Sequence, residues 1–138
     1  MLYHLYTDGG ARGNPGPAGV GVVIQNGKSK TLDETCAFIG LTTNNQAEYR
    51  ALILGLGRLL ELADHPAKTE IHIHMDSELI VHQMNGLYKV KNKGLKPLHD
   101  KAKKLVGEFK KTTFSHILRA GNKRADWLVN QALDRHSK

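Results

Sequence analysis

The chain has 138 residues, with 20 Lys plus Arg against 13 Asp plus Glu and a formal charge of +7, so a single domain over residues 1–138 with one buried core is the expectation. One cysteine, Cys36, excludes an intrachain disulfide and a four-cysteine zinc site. No stretch approaches the roughly 20 apolar residues of a membrane helix, and the first eight residues lack the basic-then-apolar pattern of a signal peptide, so a cytoplasmic protein without membrane contact is expected.

In chain order, residues 2–7 form an apolar run that stops at Asp8 and a glycine-rich turn, which predicts a first strand. Val20, Val22, Val23 and Ile24 predict a second, turning at Asn26-Gly27, and residues 31–39, ending at Gly40, a third. A long helix is expected from Asn44 to Ala63, stopped by Pro66, then a strand over 71–75 and a short helix over 77–84. A Lys-rich helix over 95–109, with Leu98, Leu105 and Phe109 as its buried stripe, a strand over 113–118 and a closing helix over 123–135 complete the pattern. Strands first, then alternating helices and strands, imply an α/β fold: one five-stranded mixed sheet, three antiparallel strands followed by parallel ones, with helices packed on it.

Four acidic residues stand out against this frame. On the first helix, Arg50, Gly57, Arg58 and Glu61 fall within about 100° of one another and mark the polar stripe. Glu48 lies roughly 140° from its centre, beside Leu52, Leu59 and Leu62, and points toward the sheet. A carboxylate there is unfavourable unless paired, hydrogen-bonded or metal-bound. Asp8 and Asp76 each follow a strand, where side chains can converge on a cleft; singly, each also reads as a turn or cap residue. Asp126 on the last helix falls with Val129 and Leu133 rather than with Lys123, Asn130 and Asp134. One chemistry accounts for all four: hard cations such as Mg²⁺ take oxygen ligands, and a two-ion site about 4 Å across needs several carboxylates held together.

The charge is unevenly placed. Residues 1–69 carry six basic and six acidic residues, and residues 70–138 carry fourteen and seven, so the whole excess lies in the second half. Such asymmetry suggests a polyanion-binding face, and a basic surface around an acidic metal cluster fits phosphodiester cleavage.

Four segments then resemble the type 1 ribonuclease H family. Residues 6–19, Tyr6-Thr7-Asp8-Gly9-Gly10-Ala11-Arg12-Gly13-Asn14-Pro15-Gly16-Pro17-Ala18-Gly19, resemble its first strand and turn. Thr43-Asn44-Asn45-Gln46-Ala47-Glu48-Tyr49 is similar to the start of its first helix, Met75-Asp76-Ser77-Glu78-Leu79 to its fourth-strand motif, and Asn122-Lys123-Arg124-Ala125-Asp126-Trp127-Leu128 to its closing helix. The order and spacing match over residues 6–128. The resemblance implies a ribonuclease H-like fold with helices on both sheet faces, and a site of Asp8, Glu48, Asp76 and Asp126 holding two Mg²⁺, with Mn²⁺ as substitute. It implies a monomeric endonuclease that cuts the RNA strand of RNA–DNA hybrids to 5′-phosphate and 3′-hydroxyl ends. Double-stranded RNA and DNA–RNA junctions are further substrates of some relatives. Substrate contacts fall on Gly9, Gly10, Asn14, Thr43, Asn44 and Asn45, with RNA told from DNA at the 2′-hydroxyl.

Two departures from the family pattern matter. Many bacterial relatives carry a His in a loop before the last carboxylate, whereas Leu118-Arg119-Ala120-Gly121-Asn122 has none. The chain resembles the His-lacking archaeal and bacterial branch, with Arg119 the candidate substitute; His116 is expected mid-strand, where packing explains it. The well-studied bacterial form also inserts a basic helix before the Lys-rich one. Only residues 86–93 are available here, leaving Lys89, Lys91 and the lysines of the following helix to supply the positive face.

Two other readings compete. His72-x-His74-x-Asp76 would share a strand face and chelate zinc as a hydrolase site. A catalytically inactive nucleic-acid-binding module on the same fold would have lost a metal ligand, and all four carboxylates are present.

Overall fold

The structure, a computed structural model, describes residues 1–137; Lys138, the last residue of the expected unit, lies outside them. Three strands come first, β1 (Leu2–Ala11), β2 (Gly16–Asn26) and β3 (Thr31–Thr42), followed by α1 (Asn44–Leu62). Then come β4 (Glu70–Met75), α2 (Glu78–Met84), α3 (Lys96–Val106), β5 (Lys111–His116) and α4 (Lys123–His136). The sheet order is β3-β2-β1-β4-β5, with β1 antiparallel to β2, β2 antiparallel to β3, and β1, β4 and β5 mutually parallel. The expected mixed sheet is therefore present, with β1 at its centre.

The main core lies on one face. Leu5, Val22, Ile24, Ile71, Ile73 and Met75 meet Leu52, Leu56 and Leu59 of α1, with α2 and α3 closing the sides through Ile80, Met84 and Ala102. Leu62, expected in the apolar stripe of α1, is exposed on its last turn. Leu98 and Leu105 are only half-buried, and Phe109 enters the core from beyond the end of α3. α4 packs on the other face, over β1, β2 and β3, where Ala125 and Leu128 cover Val23. Paired guanidinium–carboxylate contacts fasten both layers to β3: Arg58 to Asp33 beneath α1, and Arg124 to Glu34 beneath α4.

Several boundaries differ from the sequence expectation, and three of them bear on the site or its neighbours. β1 does not stop at Asp8, because Gly9, Gly10 and Ala11 go on pairing with Val20, Gly19 and Ala18 of β2. Its parallel ladder with β4 ends at Thr7 opposite Met75, so Asp8 is the first residue free on that side while its strand continues. β3 likewise runs through Gly40, which adopts φ +85 where the register shifts against Ala18 and Gly19. The glycine marks a bulge, a conformation other residues reach with difficulty, and not a strand end. β5 begins two residues earlier than expected, which leaves His116 exposed at its C-terminal end rather than packed mid-strand.

Two glycines test how closely the layers approach. A Cβ on Gly21 would lie 2.3 Å from the Ala125 carbonyl oxygen and 2.9 Å from Leu128 Cβ, whereas one on Gly57 of α1 would meet nothing within 4 Å. Gly21→Ala should push α4 off the sheet and lower stability by about 1–3 kcal/mol. Gly57→Ala should raise it by about 0.5–1 kcal/mol by removing a helix-interior glycine. Urea unfolding of both variants reads the opposite signs; equal effects would contradict this packing.

Candidate metal centre and groove

Asp8, Glu48 and Asp76 each bring a carboxylate oxygen to within 4.8 Å of the others, from β1, α1 and the turn after β4. Asp8 and Glu48 are 8% and 5% exposed; Asp76 is half-buried. Glu48 reaches the sheet because Gly9 has no side chain: a Cβ there would fall 2.3 Å from the Ala47 carbonyl oxygen. The same approach lets the Gly9 amide donate a short hydrogen bond to Glu48 Oε1. Asp76 is free because Ser77 caps α2, its hydroxyl accepting from the Ile80 amide at 3.4 Å.

Electrostatics follow from this crowding. Burial, then the charges of Asp76 and Asp126, push the Asp8 carboxyl up to about 7. Burial and the adjacent Asp8 raise Glu48 well above the ordinary carboxyl range, and their mutual hydrogen bond favours holding a proton on Glu48. Asp76 is raised by burial and partly pulled back by the nearby Arg119 guanidinium. Repelling oxygens gathered in a partly buried site form a donor set suited to a hard divalent cation, which removes the repulsion when bound.

The cluster opens into a cavity of about 470 Å³ that Asp126 and Arg119 also line, together with Gly9, Gly10, Asn44 and Asn45. Asp126, on the first turn of α4, stands at the rim outside the three-carboxylate group, with Arg119 Nη2 3.4 Å from its Oδ1. Arg119 belongs to a short 3-10 turn, residues 119–122, and its side chain is 80% exposed. A second hollow of about 230 Å³ adjoins at Asn45 and is lined by Asn14, Thr43, Gln46 and Asn92.

Asn14, Thr43 and Asn44 have structural duties as well. Asn14 Oδ1 accepts from the Asn44 amide at 3.0 Å, Asn44 Oδ1 accepts from the Ala11 amide at 2.8 Å, and the Thr43 hydroxyl caps α1 by accepting from the Gln46 amide at 3.2 Å. Lys89 and Lys91 line neither hollow and stand exposed on the irregular segment between α2 and α3. That segment, residues 86–93, forms no helix. The zinc arrangement is not formed: among the described residues Asp8, Glu48 and Asp76 are the one group of three potential ligands that converges, and His72 and His74 are not part of it.

Asn122 escaped sequence reasoning as a site residue. Placed before α4, it reads as an N-cap, yet its side chain makes no capping bond. Only 2% exposed, it instead donates from Nδ2 to the Thr7 carbonyl at 2.9 Å. This joins the residue before Asp8 to the turn that leads to Asp126, and nothing in the sequence links positions 115 apart. Arg12 and Asn130 also line the cavity, joined at 3.3 Å, with Arg12 paired to Asp134 at 2.7 Å.

A family model described as "Reverse transcriptase-like" matches residues 6–132. The bifunctional protein Rv2228c of Mycobacterium tuberculosis is 44% identical over 97% of this chain, and the chain spans about a third, 36%, of the length of that relative. Ribonuclease HI of Halobacterium salinarum is 40% identical over 95% of this chain and 64% of its own. The crystal structure of the RNase H1 from that organism matches with a TM-score of 0.92, covering 98% of this chain and 99% of the other. LC11-RNase H1, solved in complex with an RNA/DNA hybrid, is 50% identical with a TM-score of 0.94 over 99% of both chains. Likeness of this extent in sequence and in fold means that the chain belongs to the type 1 ribonuclease H family.

Proposed function

We propose that this chain is a metal-dependent endoribonuclease that cuts the RNA strand of RNA–DNA hybrids, leaving 5′-phosphate and 3′-hydroxyl ends. The observation that carries the reading is the convergence of Asp8, Glu48 and Asp76 at the floor of a cavity whose rim holds Asp126. The 50% identical LC11-RNase H1, solved with a hybrid, supports the substrate class. Asp8, Glu48, Asp76 and Asp126 would hold two Mg²⁺, with Mn²⁺ as substitute. Divalent ions bound there would supply Lewis acidity at the phosphate and lower the pKa of water enough to provide hydroxide as the nucleophile near neutral pH.

The chain's own groups do the rest. Gly9 fixes Glu48 through its amide and, with Gly10, leaves the floor of the groove low enough for a sugar–phosphate backbone to approach. Asn14 and Asn44 hold the glycine-rich turn to the start of α1, and Asn45 and Thr43 face the adjoining hollow, where 2′-hydroxyls would be read. Arg119 sets an exposed cation beside Asp126 and Asp76, where it would hold a phosphate or assist departure of the product. Lys89 and Lys91 lie outside the cavity and would act on more distant phosphates. The unit is expected to work as a monomer in the cytoplasm.

Purified protein incubated with labelled hybrid, duplex RNA and duplex DNA should cut the hybrid with Mg²⁺ or Mn²⁺ and lose activity in chelator; an intact hybrid under all conditions would overturn the proposal. Asp8→Asn should lower cleavage by at least ~10³-fold, several kcal/mol of transition-state stabilisation, while hybrid binding persists. For Arg119→Ala, turnover should fall on the order of tenfold to a hundredfold, and unchanged kinetics would remove Arg119 from the site.

The raised carboxyls also set a pH dependence. Asp8 and Glu48 hold protons more tightly folded than unfolded, so their contribution favours folding at low pH and is lost as pH rises from about 4, the ordinary carboxyl value, towards 7. Metal-free protein should therefore melt several degrees higher as Asp8→Asn than as wild type at pH 8, with the gap closing at pH 4. Added Mg²⁺ should raise the wild-type Tm more at pH 8 than at pH 5. Calorimetric scans showing a pH-independent gap would mean that the Asp8 carboxyl is not strained.

A further inference from the structure

Three histidines gather on the sheet face opposite the main core, and none of them lines the carboxylate cavity. His4 of β1 is opposite His72 of β4 in the parallel register, and Tyr6 is opposite His74. Alternation along both strands sends all three rings to the side on which α4 packs, and α4 lies over β1, β2 and β3. His4, His72 and His74 are each half-buried. His4 Nδ1 stands 3.0 Å from His74 Nε2, and the His72 ring lies edge-on to His4 with centroids 5.4 Å apart. The Tyr6 ring stacks on His74 at 4.6 Å and backs the pair from the α4 side.

We infer that His4 Nδ1 and His74 Nε2 form a second metal site, for a borderline-soft transition ion such as Cu²⁺, Ni²⁺ or Zn²⁺, separate from the carboxylate centre. Two imidazole nitrogens bound to one ion at about 2.0–2.1 Å are separated by about 2.9 Å at a right angle and about 3.4 Å at the tetrahedral angle. The 3.0 Å spacing falls within that interval. Ligand type separates the two centres: imidazole suits Cu, Ni and Zn, while carboxylate oxygens suit Mg and Mn. Without an ion, one ring must donate its only N–H to the other, so the pair has a fixed proton arrangement; with an ion, both lone pairs turn to the same partner. Burial and the neighbouring His72 hold His4 below its ordinary imidazole value, which keeps the ring neutral as a ligand must be. The two histidines come from neighbouring strands held in register by the central ladder, His4 opposite His72 and His74 opposite Tyr6. The site rests on none of the catalytic reading: neither histidine lines the carboxylate cavity.

Cu²⁺ is the informative probe, because its EPR spectrum shows nitrogen hyperfine structure when imidazole is bound. Full-length protein with one equivalent of Cu²⁺ and excess Mg²⁺ should give a spectrum with two coupled nitrogens. His4→Gln/His74→Gln should abolish that pattern and weaken Cu²⁺ binding at least tenfold by titration, with an unchanged Tm and unchanged Mg²⁺-dependent hybrid cleavage. Asp8→Asn should leave the nitrogen pattern intact. A wild-type spectrum without nitrogen coupling, or a two-nitrogen pattern that survives in the double variant, would overturn the proposal. These readouts stand whether or not the chain cleaves hybrid, so failure here and failure of the nuclease reading are distinguishable.

Discussion

Everything near the cavity is arranged around a repulsion. Asp8 and Glu48 are nearly buried, and Asp76 brings a third oxygen within 4.8 Å. An uncompensated cluster of this kind opposes folding, and the compensations visible are the Gly9 amide on Glu48, the hydrogen bond between Asp8 and Glu48, and the Arg119 guanidinium near Asp76. The cluster persists because its members are held by elements with other reasons to be where they are. Asp8 is carried by the central strand, paired along one side beyond the point where it is free on the other. Glu48 is carried by a helix whose Ala47, Leu52, Leu56 and Leu59 are buried against the same sheet. Hydrophobic burial, at about 25 cal/mol per Å², is what holds these elements against the repulsion, and a bound cation would convert the penalty into affinity.

Much of this was legible in the sequence because the acids violate the patterns around them. Glu48 breaks an apolar helical face, Asp8 and Asp76 follow apolar runs, and Asp126 sits on the wrong side of its helix. Periodicity is a local signal, however, and it failed where long-range contacts decide. Gly40 looked like a strand end because glycine weakens strands; the partner strand supplies a bulge that keeps it paired. His116 looked central because the strand's start could not be located among Lys and Thr residues. The bond from Asn122 left no local signal, since only the folded chain brings Thr7 within its reach.

Charge is organised on the same principle of separation. The lysines of α3 and of the segment before it are exposed, and Lys103 Nζ reaches back 3.3 Å to the Met84 carbonyl, fastening α3 to α2. Arg12, Arg58 and Arg124 are committed to Asp134, Asp33 and Glu34. Such pairs contribute little stability when exposed, but they occupy these three arginines, while Arg119 is the guanidinium in contact with a carboxylate of the cavity.

The bond between Asn122 and Thr7 has a consequence for the order of assembly. β1, β2 and β3 are joined by short turns and can pair early, since local contacts form fastest. Asp8 and Glu48 belong to that early-pairing stretch and to the helix directly after it, but Asp126 and its tether come only with α4, more than a hundred residues after Asp8. Until then the α4 face of β2, with Val23 and the close-packed Gly21, stays uncovered. One helix therefore has two tasks: docking α4 covers that face of the sheet and brings Asp126 to the cavity that Asp8, Glu48 and Asp76 share.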